Sequence, residues 1–402
     1  MQQAQLKSTN SAAKEGAEER HASKSKYITD SLRKFNQKYV MYNRPRWDPR
    51  VIPFAEGIYG VLPIQNTDGF TLFDRALQNT GWYLEQAFAH GHIVHGKDLF
   101  SWEKLPYSDC LRIPKGQKIG LHDPSDLSQR VKKVAKLLGA DLVGICELDS
   151  RWIYSHWYNM HTREEGVLEL PEGCSKYAIA IAVEMDYEMF RTSPKEPEGA
   201  ATGLGYSRMA FVAGSLAHFI RNLGYTAIAS GNDTGLSIPI AIDAGLGELG
   251  RNGLLITPQF GPRVRLCKVI TDLPLVPDEP IELGADQFCR SCGLCAKHCP
   301  SQAIQHGERT TEALNESTNP GALKWPVDAE KCFQWWSKIH TCCGNCIRVC
   351  PFNKPDTSFH RAVRWHVKNL PQLDRLYRWM DEAFGYGKQI KAEDWWHDEK
   401  NV

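Results

Sequence analysis

Eight of the thirteen cysteines in this sequence fall into two runs between residues 289 and 350. The first run has the form Cys-x2-Cys-x2-Cys-x3-Cys-Pro. The second repeats Cys-x2-Cys-x3-Cys-Pro and has a more distant cysteine before it. The members are Cys289, Cys292, Cys295 and Cys299 in the first run, and Cys332, Cys343, Cys346 and Cys350 in the second. Thiolates at this spacing hold iron–sulfur clusters, and the cysteine before each proline ligates the cluster of the other run.

The spacing therefore predicts two [4Fe–4S] clusters with exchanged ligands. One cluster takes Cys289, Cys292, Cys295 and Cys350. The other takes Cys299, Cys332, Cys343 and Cys346. Zinc is the rival metal because paired Cys-x2-Cys also forms zinc sites, but the three-cysteine loop and both Cys-Pro endings favour clusters. Cys342 is an alternative to Cys332, although adjacent cysteines such as Cys342 and Cys343 rarely face the same cluster.

Composition limits the class of protein. The chain has 402 residues, of which 42% are hydrophobic, and this is enough for one large domain or two ordinary ones. A net charge of +1 gives no overall electrostatic reason to bind nucleic acid or a membrane. No apolar stretch has the length of a signal peptide or a membrane span, so we expect a cytoplasmic protein.

The pattern of the chain predicts several elements. We expect helices at Leu72–Phe88, about 126–139 and 203–223, and strands at 141–148, 177–183 and 225–230. Residues 254–257 and 263–270 read as a pair of strands, and residues 42–60 read as an extended arm punctuated by proline. This alternation of helices and strands is typical of an α/β or α+β domain.

A glycine-rich loop follows the third predicted strand. Gly245, Gly247 and Gly250 form Gly-x-Gly-x-x-Gly, but a dinucleotide site also requires a following helix, and the residues after Asn252 look like a strand. Glycines can instead let the backbone lie against a large flat ligand, with Arg251 and Asn252 as contacts to its periphery. A turn-rich connection between two strands is the third interpretation.

Several short segments together resemble the corrinoid-dependent reductive dehalogenases. They are Tyr206-Ser-Arg-Met-Ala, Gly231-Asn-Asp233, the loop 244–253, Phe260-Gly-Pro-Arg263, Thr271-Asp-Leu-Pro-Leu275, Lys331-Cys-Phe-Gln-Trp-Trp336, Arg44-Pro-Arg-Trp-Asp48 and the tail Phe384-Gly-Tyr-Gly387 with Trp395-Trp396. The resemblance covers about residues 40–400. Its motifs are specific in combination, and none of them is specific alone.

The resemblance implies an α+β fold, in which a nitroreductase-like domain binds a cobalamin-type corrinoid and a ferredoxin-like domain carries two [4Fe–4S] clusters. Electrons would pass through the clusters to cobalt, and the Co(I) corrinoid would remove halide from an organohalide while a tyrosine supplies the proton. Tyr206 matches that tyrosine. The corresponding pocket and cofactor contacts are Thr202, Asn232, Gly245, Gly247, Gly250, Arg251 and Asn252.

The resemblance also implies an organisation of the chain. We expect a flexible lead over residues 1–40 and a corrinoid-binding catalytic domain with its N-terminal arm over residues 41–280. A two-cluster domain would cover residues 281–360, and a tail that packs on the catalytic domain would cover residues 361–402. The partners would be a small organohalide and an external electron donor such as ferredoxin or flavodoxin, without nucleic acid. A homodimer is compatible with the sequence.

The proposed acid has a chemical rationale in the sequence. Tyr206 would lie in the first turn of a helix beginning near residue 203, where the helix N-terminus favours a developing negative charge. Arg263 and Arg265 alternate onto one face of the following strand, so either could stabilise the phenolate. An ordinary core tyrosine is the alternative interpretation of Tyr206.

Two features depart from the family pattern. Many members carry a twin-arginine export signal, and this chain shows none. The segment Asp-x-His-x-x-Gly is also absent, which agrees with a corrinoid that has no protein ligand on cobalt. An epoxyqueuosine reductase is the nearest competing function, but that enzyme uses an aspartate in place of the tyrosine and needs a basic surface for RNA. A non-catalytic corrinoid or electron carrier would not need both kinds of cofactor.

Overall fold

Strands and helices alternate as far as residue 271, and helices follow to the end of the described chain. The structure, a computed structural model, describes Ser23 and residues 25–89, 98–106, 108–114, 116–120 and 122–398. The strands are β1 (Leu142–Glu147), β2 (His156–Tyr158), β3 (Glu165–Val167), β4 (Tyr177–Glu184), β5 (Ala227–Ser230), β6 (Glu248–Leu249), β7 (Leu255–Ile256) and β8 (Val264–Thr271). The helices are α1 (Glu56–Tyr59), α2 (Leu72–Phe88), α3 (Pro124–Leu137), α4 (Tyr187–Arg191), α5 (Glu196–Asn222), α6 (Ser237–Asp243), α7 (Ala285–Cys292), α8 (Leu294–Lys297), α9 (Ala329–Ile339), α10 (Asn345–Arg348), α11 (Ser358–Asn369), α12 (Asp374–Ala383) and α13 (Ala392–Trp396).

The central sheet has the strand order β1-β4-β8-β5, and each neighbouring pair is antiparallel. Strand β4 alternates small and large apolar residues, and successive side chains of a strand point to opposite faces. Ala178 and Ala180 belong to the same apolar core as α6, whereas Ile179 and Ile181 belong to the core formed with α3 and α5. The sheet therefore separates two apolar cores and is covered on both faces.

Helix α5 spans 27 residues and packs against both the sheet and α2. Its glycines let large side chains approach the helix closely. A Cβ on Gly203 would lie 2.3 Å from Cδ1 of Trp82, and a Cβ on Gly205 would lie 2.8 Å from Cγ of Arg265. The missing side chains therefore make room for Trp82 and Arg265 beside Tyr206.

The N-terminal arm is fixed to the segment that carries the cysteines. Arg44 is fully buried and its guanidinium forms an ion pair with Asp48. The same guanidinium donates to Glu330 Oε1 at 2.5 Å and to Ser317 Oγ at 3.0 Å. At the other end of the chain, α11 and α12 pack against α7, and α13 packs against α4. Among the described residues, no helix combines the length and the apolar character needed to cross a bilayer.

The α+β prediction is confirmed, and α2 has the predicted bounds. The predicted pairing of 254–257 with 263–270 is wrong, because β7 pairs with β6 while β8 pairs with β4 and β5. A single bridge joins Thr257 to Gly261, which lies outside the second predicted strand. Residues 1–22 and residue 24, most of the predicted flexible lead, lie outside the described residues. The four domain boundaries stay predictions.

The N-terminal arm and helix α5 also differ from the sequence prediction. In both, a proline lies in the first turn of a helix, where a helix accepts it. The arm contains 3-10 helices at Arg44–Arg46 and Ile52–Phe54, followed by α1, and so it is not extended throughout. Helix α5 begins at Glu196, seven residues before the predicted start at residue 203. In each case a proline occupies the first or second helical position, where the missing N–H costs no hydrogen bond.

Candidate active site and cluster-binding cysteines

Four cysteines from both runs surround one cavity. Its lining includes Cys289, Cys292, Cys295 and Cys350, and also Phe288 and Phe352. Arg251 and Asn252, which lie between β6 and β7, complete this part of the lining. The first three cysteines flank Gly293, whose φ of 66° lets the chain turn from α7 into α8. The structure thus brings together the four residues predicted for the first cluster. Their role as ligands stays a prediction.

The second predicted set, Cys299, Cys332, Cys343 and Cys346, also lies together. Burial raises the pKa of Cys332 to about 12, and the nearby Cys299 adds to this effect. Burial likewise raises the pKa of Cys343 to about 12, with contributions from Glu198, Cys332 and Cys299. The pKa of Cys346 is raised by burial and then by Cys343 and Cys332. The backbone connects two members directly, since Ala303 N–H donates to Cys299 Sγ at 3.3 Å and Asp328, the N-cap of the helix that carries Cys332, donates to the carbonyl oxygen of Ala303 at 2.8 Å.

The cysteine sets suit a body larger than one ion. Throughout the described ranges, no three Cys, His, Asp or Glu side chains converge on a point that could hold a single metal ion. Four cysteines around one cavity, three from a Cys-x2-Cys-x2-Cys loop and one from a distant Cys-Pro, are the donor set of an iron–sulfur cluster.

Tyr206 is held on two sides. Its ring stacks on that of Trp82, with centroids 4.9 Å apart and an angle of 22° between the planes. Asn232 Nδ2 donates to the Tyr206 hydroxyl at 3.0 Å. Tyr206 is ten residues from the start of α5, so the prediction that it lies in the first helical turn is wrong. The helix dipole fades within one turn, so it gives little help to a phenolate at this position.

Arg265 supplies positive charge beside Tyr206. Its guanidinium carbon lies 4.8 Å from the centroid of the tyrosine ring. Arg265 Nη2 donates to Thr202 Oγ1 at 3.2 Å, and that hydroxyl donates to Glu198 Oε1 at 3.1 Å. Burial raises the pKa of Glu198 to about 7, although Arg265 and Thr202 oppose the rise. The predicted residues Tyr206, Arg265, Thr202 and Asn232 therefore form one connected group. Together with Glu198 we call them the Tyr206 group.

The loop after β5 presents Asn232 to Tyr206. Lys268 on β8 donates to the carbonyl oxygens of Gly231 at 2.6 Å and Asp233 at 3.2 Å. Burial lowers the pKa of Lys268 to about 8, and Asp233 opposes this change. The Tyr154 hydroxyl donates to the carbonyl of Asn232 at 3.1 Å. Side-chain hydrogen bonds from Lys268 and Tyr154 therefore fix the backbone of the loop.

Arg263 has different contacts from Arg265. Its Nε donates to Asn353 Oδ1 at 2.9 Å and its Nη1 donates to Glu184 Oε1 at 2.6 Å. The guanidinium carbon lies 5.3 Å from the ring centroid of Tyr187. Arg263 therefore joins the sheet to the end of the second cysteine run, and the structure brings Arg265, rather than Arg263, over the ring of Tyr206.

The glycine-rich loop forms the β6–β7 hairpin, as the turn-rich interpretation expects. A Cβ on Gly247 would lie 2.1 Å from the carbonyl oxygen of Ile256, and one on Gly245 would lie 2.5 Å from that of Glu279. A Cβ on Gly250 would lie 2.8 Å from Asn252 Oδ1. These glycines are thus required by contacts within the protein. Their predicted contact with a corrinoid stays a prediction.

The tip of the hairpin touches both cysteine runs. Arg251 Nε donates to the carbonyl oxygen of Cys289 at 3.0 Å, and its Nη1 donates to those of Gln305 and Gly307 at 2.9 and 3.0 Å. Asn252 Nδ2 donates to the carbonyl oxygen of Cys346 at 3.4 Å. The hydrogen bonds of Arg251 and Asn252 therefore connect the hairpin to the cluster segment, and their contact with a corrinoid also stays a prediction.

Three side chains near Tyr206 were not predicted from the sequence as site residues, namely Tyr42, Trp82 and Glu198. Burial raises the pKa of Tyr42, and Tyr206 and Cys342 add to the rise, so the arm reaches the site. The Tyr42 ring also lies 6.0 Å, centroid to centroid, from that of Trp336, and 40% of its surface is accessible. The spacing of Glu198 four residues before Thr202 was an available signal, because such residues are neighbours on a helix.

Comparison with known proteins gives two family matches. Residues 288–354 match the 4Fe-4S dicluster domain, which supports two clusters in this segment. Residues 159–275 match the family described as reductive dehalogenase subunit. These two segments contain, respectively, the cysteine runs and the Tyr206 group.

Curated relatives extend the similarity over most of the chain. The tetrachloroethene reductive dehalogenase of Sulfurospirillum multivorans is 34% identical over 385 residues, which are 89% of this chain and 76% of the relative. The enzyme of the same name from Desulfitobacterium hafniense is 38% identical over 337 residues, which are 74% of this chain and 60% of the relative. The chain thus spans about three fifths of the length of the latter protein. The epoxyqueuosine reductase of Lactococcus garvieae matches 41% of the chain at 31% identity.

Solved structures show the same similarity. A structure reported as a reductive dehalogenase that suggests a mechanism for B12-dependent dehalogenation has a TM-score of 0.59 and 29% identity. The match covers 69% of this chain and 39% of that one. A catabolic reductive dehalogenase with 24% identity has a TM-score of 0.68, and the match covers 92% of this chain and 49% of that one, which supports the fold. The chain belongs to the reductive dehalogenase family.

Proposed function

We propose that this protein is a corrinoid- and iron–sulfur-dependent oxidoreductase that removes halide from a small organohalide. The overall change is R–X + 2e⁻ + H⁺ → R–H + X⁻, so the site must supply two electrons and one proton. When bound, the corrinoid and the two clusters supply the electrons. The observation that carries the proposal is the position of Tyr206, which lies between Asn232 and Arg265 on the helix whose Glu198 lies against Gly344 of the second cysteine run.

A corrinoid fits the residues around Tyr206. Several buried polar atoms there, Arg265 Nε, Glu198 Oε2 and Trp336 Nε1, have no hydrogen-bond partner among the described residues. Buried polar atoms without partners suit a large cofactor that has polar groups at its edge. Thr202, Asn232 and the β6–β7 hairpin are the residues that we expect to hold it.

Tyr206 is the proposed proton donor. A phenol has a pKa near 10 and donates poorly unless its anion is stabilised. Arg265 provides a positive charge 4.8 Å from the ring centroid, and Asn232 donates a hydrogen bond to the same oxygen that loses the proton. Trp82 fixes the plane of the ring. The protein therefore holds the acid in one orientation, with a positive charge beside its ring and a hydrogen-bond donor at its oxygen.

Glu198 is expected to position Arg265 through Thr202. The three polar groups form a chain in which Arg265 donates to Thr202 and Thr202 donates to Glu198. A buried carboxyl group beside an arginine restricts where the guanidinium can lie. We therefore expect Glu198 to act on the reaction through Arg265, without contact to the substrate.

The substrate class is a chlorinated alkene, and tetrachloroethene is the first compound to try. This choice depends on the names of the two curated relatives at 34% and 38% identity. Aromatic side chains, including Tyr42, Trp82 and Tyr206, surround the site and suit a small apolar molecule. The electrons must come from an external donor, for which ferredoxin or flavodoxin is suitable.

The test starts with protein purified without oxygen and supplied with a corrinoid. We expect cobalt and iron near a ratio of one to eight, and release of chloride from tetrachloroethene with reduced methyl viologen as electron source. Chloride release that depends on cobalt would support the proposal. A fully loaded, reduced protein that releases no halide from chloroalkenes, chloroarenes or bromoarenes would overturn it.

A further inference from the structure

The two cysteine sets differ in their distance from Tyr206. Gly344, next to Cys343, lies against Glu198, since a Cβ on Gly344 would be 2.9 Å from Glu198 Oε1, and Glu198 is connected through Thr202 to Arg265 beside Tyr206. The residues around the first set are instead Arg251, whose Nε donates to the carbonyl oxygen of Cys289 at 3.0 Å, and Arg378, which donates to that of Ser291 at 3.4 Å. The second set is therefore the inner one, and the first set is the outer one. Electrons from outside would reach the outer set first.

The outer set lies directly below the protein surface. Gly293 borders its cavity, and a Cβ on this residue would meet no atom within 4 Å. Two exposed basic residues, Arg290 and Lys297, stand within four residues on either side of Gly293, and the side chains of both are 53% accessible. One turn of chain therefore separates the predicted ligands from solvent.

This surface carries an excess of positive charge. Arg378 on α12 donates to the carbonyl oxygen of Ser291 at 3.4 Å, so it joins Arg290 and Lys297 at the rim. Glu382 contributes the opposing charge, at 2.6 Å from Lys297 and 3.7 Å from Arg378. Asp286 lies 3.8 Å from Arg290 but is largely buried and is also paired with Arg309.

Arginine is enriched where proteins bind one another, because it combines apolar contact area with hydrogen bonding. We call Arg290, Lys297 and Arg378 the outer basic surface.

We propose that the outer basic surface is the docking site for a small acidic protein that carries one electron at low potential. This inference depends on the proposed function, because only a reductive reaction needs such a partner. Each docking event oxidises the carrier by one electron and delivers that electron to the first cluster. Two events provide the pair that cleavage of one carbon–halogen bond consumes. Positive charge on this chain matches an acidic carrier, and complexes of this kind are small, weak and sensitive to salt.

The experiment uses the holoprotein and a purified acidic bacterial ferredoxin. The variant combines Arg290→Glu with Lys297→Glu, and the matched control is Lys133→Glu on α3, an exposed basic residue far along the chain from both cysteine runs. Two quantities are measured over a range of NaCl concentrations. They are the affinity for oxidised ferredoxin, and the rate at which reduced ferredoxin bleaches the cluster absorbance in rapid mixing.

We expect the double variant to lower the second-order rate constant about tenfold or more at low salt, since electrostatic steering contributes factors of 10 to 10³. Its affinity for ferredoxin should fall as well, and both differences should shrink as salt rises. The control should match the unmodified protein. Equal rates and affinities for the double variant and the control would overturn the proposal.

A second electron source separates this inference from the proposed function. Reduced methyl viologen needs no protein docking site, so it tests the clusters and the active site directly. Dehalogenation by the double variant with viologen, together with slow reduction by ferredoxin, supports the docking site. Failure of dehalogenation with viologen in the unmodified protein counts against the proposed function instead.

Discussion

At the scale of single residues, Tyr206 has a positive charge and a hydrogen-bond donor beside it. The sequence offered two sources of stabilising charge, a helix N-terminus and Arg263 or Arg265, but Tyr206 lies in the third turn of α5. Arg265 reaches the ring from β8 because Gly205 leaves space for its side chain. Of the two effects that the sequence suggested, the structure therefore keeps the contact with Arg265.

Replacement of Tyr206 by Phe should keep cobalt and iron and lower turnover about 10²-fold or more, the usual scale of general acid catalysis. Phe retains the stacking on Trp82 and removes only the hydroxyl that Asn232 binds. The measurement is chloride release per cobalt. Tyr225→Phe is the matched control, because its ring contacts Lys118. Turnover of Tyr206→Phe at the unmodified rate would show that another group supplies the proton.

Arg265→Ala should cause a smaller loss than Tyr206→Phe, again with both metals retained. The variant removes the charge near the phenolate but leaves the acid and its bond to Asn232. Arg265→Lys should recover part of the loss because it restores a positive charge. Chloride release is measured for the unmodified protein, Arg265→Lys, Arg265→Ala and Tyr206→Phe, and we expect it to fall in that order. Equal activity of Arg265→Ala and the unmodified protein would contradict a role for Arg265.

Cys342 provides a test of the ligand assignment. The charged groups that act on its thiol are Glu198 and Arg265, so Cys342 lies toward the Tyr206 group. Cys342→Ser should therefore retain about eight irons per chain, whereas Cys346→Ser should lose one cluster. Iron content and the electron paramagnetic resonance of the reduced protein measure the difference. Loss of four irons from Cys342→Ser would make Cys342 the fourth ligand in place of Cys332.

At the scale of elements, strand β8 supports the site from both of its faces. Arg265 lies on one face beside Tyr206, and Lys268 lies three residues later on the other face. Lys268 fixes the loop between β5 and α6 through the carbonyl oxygens of Gly231 and Asp233. The strand thus positions both the charge and the hydrogen-bond donor that Tyr206 requires.

Lys268→Met should destabilise the protein and weaken catalysis together. The variant removes one hydrogen bond to each of the two carbonyl groups, at a cost of about 0.5–1.5 kcal/mol each, while the hydroxyls of Ser237 and Ser230 remain as donors to them. The melting temperature should fall, and Asn232 should lose its fixed position, so turnover should fall as well. The matched control is Lys118→Met, at a lysine that stacks on Tyr225 and does not touch the loop. An unchanged melting temperature for Lys268→Met would contradict this account.

The helices and strands were predictable where local patterns decide the structure. Helix α2 has the predicted bounds because Thr71 and Asp74 form a capping box and apolar residues recur at helical spacing. Pairing of β8 with β4 and β5 was not predictable, because strand partners distant in sequence leave no local signal. For the same reason Tyr42 and Trp82, which reach the site from other elements, did not stand out.

At the scale of the whole molecule, buried arginines connect the parts of the chain. Arg44 joins the N-terminal arm to α9, and Arg251 joins the β6–β7 hairpin to the first cysteine run. Each guanidinium directs several donors at fixed acceptors, which suits a connection between segments. The position of the two cysteine sets relative to Tyr206 therefore depends on arginine side chains that belong neither to the cysteine sets nor to the Tyr206 group.

Arg251→Met should reduce iron content more than cobalt content. The variant removes the donors to three carbonyl groups of the cluster segment, including that of Cys289. The first cluster should then be lost more readily during purification, and metal analysis of the folded protein measures this. Loss of cobalt with full retention of iron would instead support direct contact between Arg251 and the corrinoid.

The exchange of cysteines between the two runs has a consequence for how the protein matures. Cys299 belongs to the first run but lies with the second set, and Cys350 belongs to the second run but lies with the first set. A growing chain cannot complete the outer site until Cys350 has left the ribosome. A chain truncated between residues 346 and 350 would therefore keep all four cysteines of the second set and lack one of the first, whereas a chain truncated before residue 346 would have neither set complete.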